Sequence, residues 1–489
     1  MTFATHQSPT PGVRTGQQYL DGLRDGRHVW LGGEQVHDVT THPGLGRGAQ
    51  TLAGFMDRQS DPAYRDRVTY VREGNRYATS CLMPCNAEDI RQRGDAYYEW
   101  ATWSNGMFGR TPDYKNASVT AFAAAADYLG ADRPEFADNM RRYFEYLRNH
   151  DKVLTHTLVN PTYSHAQSLA GVYSDKVALQ VVRETDAGIV VNGARLLATL
   201  GPLADEIEVF PSTLLRADET NIPFAFAFAL PIATDGIRLI CRDSYDLGQS
   251  HFDAPLASRY EEMDAVVIFD NVLVPWERVF MYADPALCNK AFAATNAVVH
   301  MMHQVVCGKL AKAEFIVGLL CSMAKATGKD ADSTVKGQIA EAMWITESVR
   351  AFRYHAEGEA HPDEWGNYVP LRRPLDTSRN IFSRMYPRLQ ELVQLLGSSS
   401  LMATPCEADF HNALAHDVGQ YFQTVNLASR DRIALFRLAH DTAVSSFGTR
   451  QTLYERFFFG PPAMLASGYY DLYDRDRVMA RVDDLLASE

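Results

Sequence analysis

Cysteine is scarce in this chain, with seven scattered residues among 489. A small and odd number of cysteines argues against a disulfide framework, so we expect a reducing, cytoplasmic environment. Long apolar runs are missing as well: no stretch approaches about 18 residues without a charge, so we expect no membrane-spanning helix. The first residues, MTFATHQSPTPGVR, are polar and contain two prolines, which does not fit a signal peptide.

Basic residues are fewer than acidic ones. Lys and Arg number 47, Asp and Glu number 60, and the formal net charge is −13. An acidic surface repels a phosphate backbone, so we expect no nucleic-acid partner. The hydrophobic share of 46% and the charged share of 22% are those of ordinary globular proteins, which excludes disordered and fibrous architectures.

Several common catalytic motifs are absent from the sequence, among them Walker A, G-x-S-x-G and H-E-x-x-H. Their absence argues against the common nucleotide hydrolases, serine esterases and zinc proteases. Residues 44–49, GLGRGA, fit G-x-G-x-x-A, but the dinucleotide fingerprint needs a preceding strand and a βαβ unit. Because neither pattern accompanies them, we interpret these residues as a loop and expect no NAD(P)H-binding unit.

The hydrophobic period divides the chain into three zones. Residues 1–152 and 283–489 repeat with a helical period, whereas residues 153–282 alternate with a period of two. Many short strands with Gly and Pro turns predict a central antiparallel barrel or sandwich, with a hairpin at Asn192-Gly193. In the last zone, the pattern predicts a helix from Ser429 to Gly448. We therefore expect an α+β protein whose three domains pack as one unit: helical, β-rich, helical.

The densest polar cluster is the run from Gly109 to Asn116, which follows a helix rich in aromatic residues. On spacing alone, the ordinary interpretation is a capped surface loop. The functional interpretation is that Arg110 and Tyr114 project from a fixed loop into a pocket. His156 also has two interpretations. A lone histidine is more often structural, but histidine is also the side chain most readily tuned near neutral pH.

Cys81 and Cys85 form a C-x3-C pair, which His300 and Cys307 could extend to four ligands for zinc or an iron–sulfur cluster. The two halves of this set lie more than 200 residues apart, and a proline interrupts the first. Buried thiols that act as small apolar side chains are the more common explanation, so we predict no metal site.

Several stretches, taken together and in this order, resemble the 4-hydroxyphenylacetate 3-monooxygenase family. This family comprises the large oxygenase components of two-component flavin systems and includes chlorophenol and nitrophenol monooxygenases. The resemblance extends from about residue 13 to past residue 465. The stretches that carry it are Arg14 to Leu20, Asp38 to Pro43, Gly109 to Asn116, Thr155 to Pro161, Leu197 to Thr199, Val274 to Val279 and Leu453 to Phe457.

The resemblance implies an acyl-CoA dehydrogenase-like fold: an N-terminal helical domain, a central antiparallel β-barrel and a C-terminal helical bundle, usually in a homotetramer. It also implies the chemistry. FADH2 from a separate reductase reacts with O2 to give a flavin C4a-hydroperoxide, which hydroxylates a 4-substituted phenol at the ortho position to a catechol. The ring reacts best as phenolate, and a nearby cation favours that ionisation.

Matching the motifs assigns candidate site residues. Arg110, Tyr114 and His156 are expected to surround the phenol oxygen or the peroxide, and Ser212 and Thr213 are expected to contact the substrate. The expected flavin contacts are His156, Thr157, Asn160, Thr199, Phe459, Gly460 and Pro461. The chain departs from its relatives after Asn160-Pro161, where Thr162 and His165 stand in place of Gln and Arg.

The resemblance leaves several alternatives open. Chlorophenols, nitrophenols and tyrosine-derived biosynthetic intermediates, free or carrier-tethered, are possible substrates, and FMNH2 is an alternative to FADH2. Neither a catabolic nor a biosynthetic role is favoured. A distant alternative is a lyase similar to 4-hydroxybutyryl-CoA dehydratase, which has FAD and an iron–sulfur cluster. Where the resemblance expects its C-x3-C pair, this chain has Arg110 and Tyr114, which cannot bind such a cluster as cysteines do.

Overall fold

The computed structural model describes residues 11–164, 176–211, 215–216 and 218–487. None of the helices within these ranges is both long and apolar enough to cross a membrane. The order of elements is helices, then strands, then helices, as the hydrophobic periods predict. The N-terminal helices are α1 (Gly16–Gly22), α2 (Gly46–Arg58), α3 (Arg65–Val68), α4 (Ala87–Thr102), α5 (Pro112–Ala124), α6 (Ala126–Leu129) and α7 (Pro134–His150).

Local chemistry fixes the ends of these helices. A capping box formed by Thr15 and Gln18 starts α1, and the Asn86 side chain caps α4. Proline occupies the first position of both α5 and α7, where its missing N–H costs no hydrogen bond. The predicted loop at residues 44–49 is wrong, because α2 begins at Gly46.

The strands form two main sheets and two small hairpins. The six-stranded sheet has the order β2-β1-β10-β11-β7-β6, and the four-stranded sheet has the order β12-β9-β8-β5. Two strands of the six-stranded sheet come from the N-terminal zone, which the hydrophobic period predicts to be helical. The strands are β1 (Val29–Leu31), β2 (Glu34–Val36), β3 (Thr69–Arg72), β4 (Asn75–Ala78), β5 (Leu154–Thr157), β6 (Gln180–Thr185), β7 (Gly188–Thr199), β8 (Glu206–Val209), β9 (Phe226–Pro231), β10 (Ile237–Cys241), β11 (Asp264–Pro275), β12 (Val279–Tyr282), β13 (His361–Pro362) and β14 (Tyr368–Val369).

The central zone departs from the predicted barrel in one respect and from the predicted hairpin in another. Within the described ranges the strands divide between two sheets whose apolar faces share one core, and a closed barrel is not found. Asn192-Gly193 does not turn the chain, because β7 runs straight through it and the turn lies at Asp186-Ala187. Gly193 has a φ of +124°, and a Cβ there would lie 2.5 Å from the Ala178 carbonyl oxygen. The glycine therefore serves close backbone approach rather than a turn.

A short helix, α8 (Ala257–Tyr260), precedes β11, and the long helices follow. Apolar residues from the longest three form one core, which explains the helical period of this zone. The predicted helix from Ser429 does not reach Gly448: it ends at Ala443, and Ser445 caps a new helix. The C-terminal helices are α9 (Pro285–Ala294), α10 (Ala297–Ala326), α11 (Ser333–Gly358), α12 (Arg372–Gly397), α13 (Ala415–Tyr421), α14 (Ser429–Ala443), α15 (Ser446–Phe457), α16 (Pro462–Leu472) and α17 (Asp476–Leu486).

Helix α5 joins the three zones. It packs against α7, against the long bundle helix α10 and against β5 of the four-stranded sheet. Its residues 112–123 are buried all round. The polar cluster that begins at Gly109 therefore lies between the four-stranded sheet and the bundle, and not on the surface.

Candidate active site

The loop before α5 is held on several sides. The Tyr454 hydroxyl donates to the Gly109 carbonyl oxygen at 3.0 Å, and the Arg110 backbone N–H donates to Glu262 Oε2 at 2.8 Å. Gly109 is required, because a Cβ at this position would lie 2.7 Å from the Tyr454 ring. At Gly106, with a φ of +69°, a Cβ would lie 2.6 Å from that of Lys312. The loop thus presents Arg110 from a fixed backbone, as its functional interpretation requires.

The Arg110 guanidinium is enclosed by aromatic rings. Its central carbon lies 4.4 Å from the centre of the Tyr114 ring, 4.2 Å from that of Phe458 and 5.7 Å from that of Tyr454. The Nε and Nη1 atoms are buried and have no hydrogen-bond partner in the part of the chain that the structure describes. A buried donor without an acceptor is costly, and a charged one more so. The arrangement suits an anionic oxygen that would accept from these atoms.

Tyr114 lies in the first turn of α5 and is almost fully buried. Burial raises the pKa of its hydroxyl, and the nearby Arg110 only partly offsets this effect. Tyr114 therefore stays protonated at neutral pH and can donate a hydrogen bond. Its ring centre lies 5.8 Å from that of His156, so the structure brings the two predicted residues together.

His156 lies on β5 and is buried. Burial, together with the positive charges of Lys115 and Arg110, holds its pKa well below the ordinary value of 6.5. The imidazole is therefore uncharged at neutral pH, and it does not titrate there. In this form one ring nitrogen donates a hydrogen bond and the other accepts one.

The predicted flavin contacts differ in whether their side-chain polar atoms already have hydrogen-bond partners. Asn160 is buried, and its Oδ1 has no partner among the residues described, so it can accept from an N–H of a bound group. The hydroxyls of Thr157 and Thr199 already donate within the protein, to the Leu196 carbonyl oxygen at 2.7 Å and to Asp264 Oδ1 at 2.6 Å. Asn160 can therefore bind a cofactor through its side chain, whereas the hydroxyls of the two threonines already donate within the protein.

The turn after α15 brings a further aromatic residue, Phe458, to this cluster. Phe458 lies against Arg110 and Tyr114, and Phe459 packs on Phe458 with ring centres 4.6 Å apart. Gly460 has a φ of +105°, which L side chains rarely adopt, so glycine is required for this turn.

Other predicted residues lie outside this cluster or outside the description. Ser212, Thr213 and His165 are not among the described residues. Thr162, the other departure from the family pattern, is exposed. Apolar side chains from the bundle close the site opposite the sheet: Met301 and Val305 of α10 pack on Tyr114. Water-excluding walls of this kind protect reactive oxygen intermediates from hydrolysis.

The four residues considered as possible metal ligands do not form one group in the described ranges. The group of possible ligands found in the described ranges is His303, Cys307 and Glu357, whose ligand atoms lie within 4.8 Å of one another. Its members are already engaged: Glu357 Oε1 lies 2.8 Å from His303 Nε2 and accepts from Arg353 Nε at 2.8 Å. Burial also raises the pKa of the Cys307 thiol. These contacts favour a structural ion-pair cluster.

The residues beside His300 and Cys307 are not the pair expected from the sequence. Arg93 Nη1 lies 3.4 Å from His300 Nδ1, and Tyr97 packs with Cys307. Arg93 and Tyr97 stand one helical turn apart on α4. Arg110 and Tyr114 belong to the cluster that contains His156.

Comparisons with known proteins agree over nearly the whole chain. Family models described as 4-hydroxyphenylacetate 3-hydroxylase N terminal and C terminal match residues 15–281 and 288–487. The oxygenase component of 4-hydroxyphenylacetate 3-monooxygenase from Thermus thermophilus is 46% identical over 471 residues, 96% of each chain. A solved structure of such a component with FAD and 4-hydroxyphenylacetate has a TM-score of 0.93 at 45% identity, covering 97% of this chain and 98% of its own.

A more distant structural neighbour bears on the fold alone. An archaeal 4-hydroxybutyryl-CoA dehydratase has a TM-score of 0.88 at 16% identity, covering 98% of this chain and 95% of its own. The likeness extends over all three zones of the chain.

Proposed function

Because this chain belongs to the 4-hydroxyphenylacetate 3-hydroxylase family, we propose that Arg110, Tyr114 and His156 bind the phenol oxygen of its substrate. The chain is a flavin-dependent aromatic monooxygenase that hydroxylates 4-hydroxyphenylacetate with FADH2 and O2. When bound, reduced FAD would supply the two electrons that activate O2, and one oxygen atom of O2 is transferred to the ring. The protein's part is to bind the phenol, favour its ionisation and keep water away.

The unpartnered guanidinium of Arg110 carries the proposal. A phenolate oxygen would accept from Nε and Nη1, which removes the cost of two buried donors and places a negative charge beside a fixed positive one. Tyr114 would add a neutral donor, and His156 would accept from the phenol hydroxyl or donate to the phenolate. Phe458 and Tyr454 hold the guanidinium in place from the bundle side.

The residues that fit the flavin are Asn160 and the turn from Phe459 to Pro461. Asn160 Oδ1 is a buried acceptor without a donor. Phe459 packs against the cluster of Tyr114, Met301 and Val305. Thr157 and Thr199 would contact the flavin through backbone atoms, because their hydroxyls are in use.

The finer assignments also belong to the proposal. Reduced flavin comes from a separate reductase, by diffusion. The zones 1–152, 153–282 and 283–489 act as three domains, with the two central sheets in the place of a barrel. The chain forms a homotetramer through its C-terminal helices. Exposed apolar side chains on these helices support this proposal.

The test is a reconstitution of the purified chain with FAD, NADH, O2 and 4-hydroxyphenylacetate, with and without an added flavin reductase. We expect catechol only when the reductase is present. A parallel panel of 4-nitrophenol, 4-chlorophenol and tyrosine measures how narrow the site is. Efficient turnover without a reductase would contradict the proposed two-component system, and failure of every phenol with the reductase would contradict the assigned site.

A further inference from the structure

Directly behind the proposed site lies an ion pair that the hydroxylation does not by itself require. Lys115 Nζ lies 2.6 Å from Glu208 Oε2, and the side chains are 2% and 0% exposed. Lys115 follows Tyr114 on α5, and Glu208 lies on β8 in register with His156 on β5. The pair therefore touches both elements that carry site residues.

Neither partner has another use that the structure shows. The ammonium and both carboxylate oxygens find no hydrogen-bond acceptor or donor elsewhere in the described ranges. Two ions removed from water lose hydration that their mutual attraction barely repays, so such a pair contributes little to stability. Apolar side chains of similar volume would pack there without that cost. What needs an explanation is why this buried position holds two charged side chains.

The charged groups around His156 show what the pair does. The cations that act on the imidazole are Lys115 and Arg110, and the ring of Tyr114 faces it from α5. Glu208 faces Lys115 and also lies near Glu206 and Tyr143. Glu206 is itself paired with Arg278 at 2.8 Å. Burial is the largest influence against protonation of His156, and the positive charges of Lys115 and Arg110 add to it.

We propose that Lys115, held by Glu208, is a positioning residue that keeps His156 uncharged, so that the imidazole can accept a hydrogen bond from the phenol hydroxyl. An imidazolium has only donors and cannot do so. No bond is made or broken at the pair. This inference rests on the proposed function of His156 and adds to it the residue that sets its charge.

The chain offers a matched control on the same strand. Arg278 and Glu206 also form a buried pair beside β8, but Arg278 packs over the Tyr143 and Tyr146 rings and does not act on His156. Replacing either pair by uncharged side chains of similar shape removes two buried charges together and leaves no ion without a partner. The two double variants differ in whether the lost cation faced His156.

The experiment measures the pKa of His156 by deuterium exchange at imidazole C2, read by mass spectrometry of its peptide in the flavin-free protein. We expect Lys115→Met/Glu208→Gln to raise it by about one pH unit or more. Arg278→Met/Glu206→Gln should leave it unchanged. A folded Lys115→Met/Glu208→Gln protein with an unmoved His156 pKa would overturn the inference.

A second measurement separates this inference from the proposed function. With FADH2, O2 and 4-hydroxyphenylacetate, the acid limb of catechol formation should move to higher pH in Lys115→Met/Glu208→Gln and stay in place in Arg278→Met/Glu206→Gln. If the unaltered protein forms no catechol, the proposed function fails whatever the exchange data give. If it forms catechol and the acid limb does not move, only the role of Lys115 fails.

Discussion

The Arg110 guanidinium lies 4.2 Å from the centre of the Phe458 ring, which connects the loop before α5 to the turn after α15. The contact orients a cation whose Nε and Nη1 have no other described partner. A guanidinium over an aromatic face gains about 0.5–2 kcal/mol, more when water is excluded. Phe458 thus orients the guanidinium group of Arg110.

Replacing Phe458 by leucine should weaken catalysis more than folding. The loss of the ring face predicts a roughly two- to thirtyfold fall in catechol formed per FADH2 consumed. The melting temperature should change little, because the side chain is only half-buried. Phe457→Leu is the control, since Phe457 is 48% exposed on the same turn of helix. Equal coupling in the two variants would show that Phe458 has no part in the site.

Arg110→Ala should uncouple the reaction rather than unfold the protein. Loss of a charged hydrogen bond in a dry site costs about 1.5–3 kcal/mol, which is roughly a ten- to hundredfold loss of catechol. FADH2 should still be oxidised by O2, with hydrogen peroxide released in place of catechol. Tyr114→Phe keeps the ring and should lose less. The ratio of peroxide to catechol and the melting temperature are the readouts. Normal coupling in Arg110→Ala would make it a structural loop residue.

Asp113 should make stability depend on pH in a defined window. Burial raises the pKa of its carboxyl from 3.8 to about 6, although it accepts from Gln304 Nε2 at 3.2 Å. Between these two values the folded state holds the proton more tightly than the unfolded state. The contribution of Asp113 to stability is therefore greatest below pH 3.8 and falls as the pH rises through 6.

Asp113→Asn cannot ionise, so its comparison with the unaltered protein isolates this effect. The melting temperature of the unaltered protein minus that of the variant should be larger at pH 5 than at pH 8. Denaturation scans at the two pH values, with Asp61→Asn as an exposed control, measure the difference. A constant gap in melting temperature would mean that the Asp113 carboxyl keeps its ordinary pKa.

Helix α17 should contribute to assembly. No residue of this helix is buried, yet Met479, Val482 and Leu486 are apolar, 57%, 56% and 73% exposed, and spaced along one face. We expect a particle near four times 54.7 kDa by light scattering, and a smaller one for Val482→Glu/Leu486→Glu. Asp484→Lys, on the opposite face of the helix, should not change the mass. A monomeric unaltered chain at micromolar concentration would contradict the expectation.

Hydrophobic period predicts much of the fold, because long buried faces repeat visibly. The strand that ends at Pro231 and the helix that starts at Pro134 are where their patterns place them. Three-residue strands such as β1 leave too short a pattern to detect. The turn expected at Asn192-Gly193 fails because tertiary packing uses that glycine for a close approach to Ala178.

The candidate site, like the fold, is predictable from the sequence only in part. The motifs that carry the family resemblance bring forward Arg110, Tyr114 and His156, and the structure brings these three together. Lys115 stands inside one of those motifs, but its role depends on Glu208, which lies 93 positions later and is marked by no motif. A pairing across two elements cannot be read from local spacing, however specific the motifs are.

The parallel pairing of β1 with β10 sets an order of events during synthesis. Val29 and Trp30 pair with Leu239 and Ile240, so the first strand has its neighbour only after roughly 200 further residues have left the ribosome. At about 5–20 residues per second, that wait is on the order of 10–40 s. During this wait, the β1–β2 hairpin exposes an unpaired strand edge. Such an edge can bind a chaperone or pair with a wrong strand. The nascent N-terminal third of this chain is therefore its most vulnerable stage.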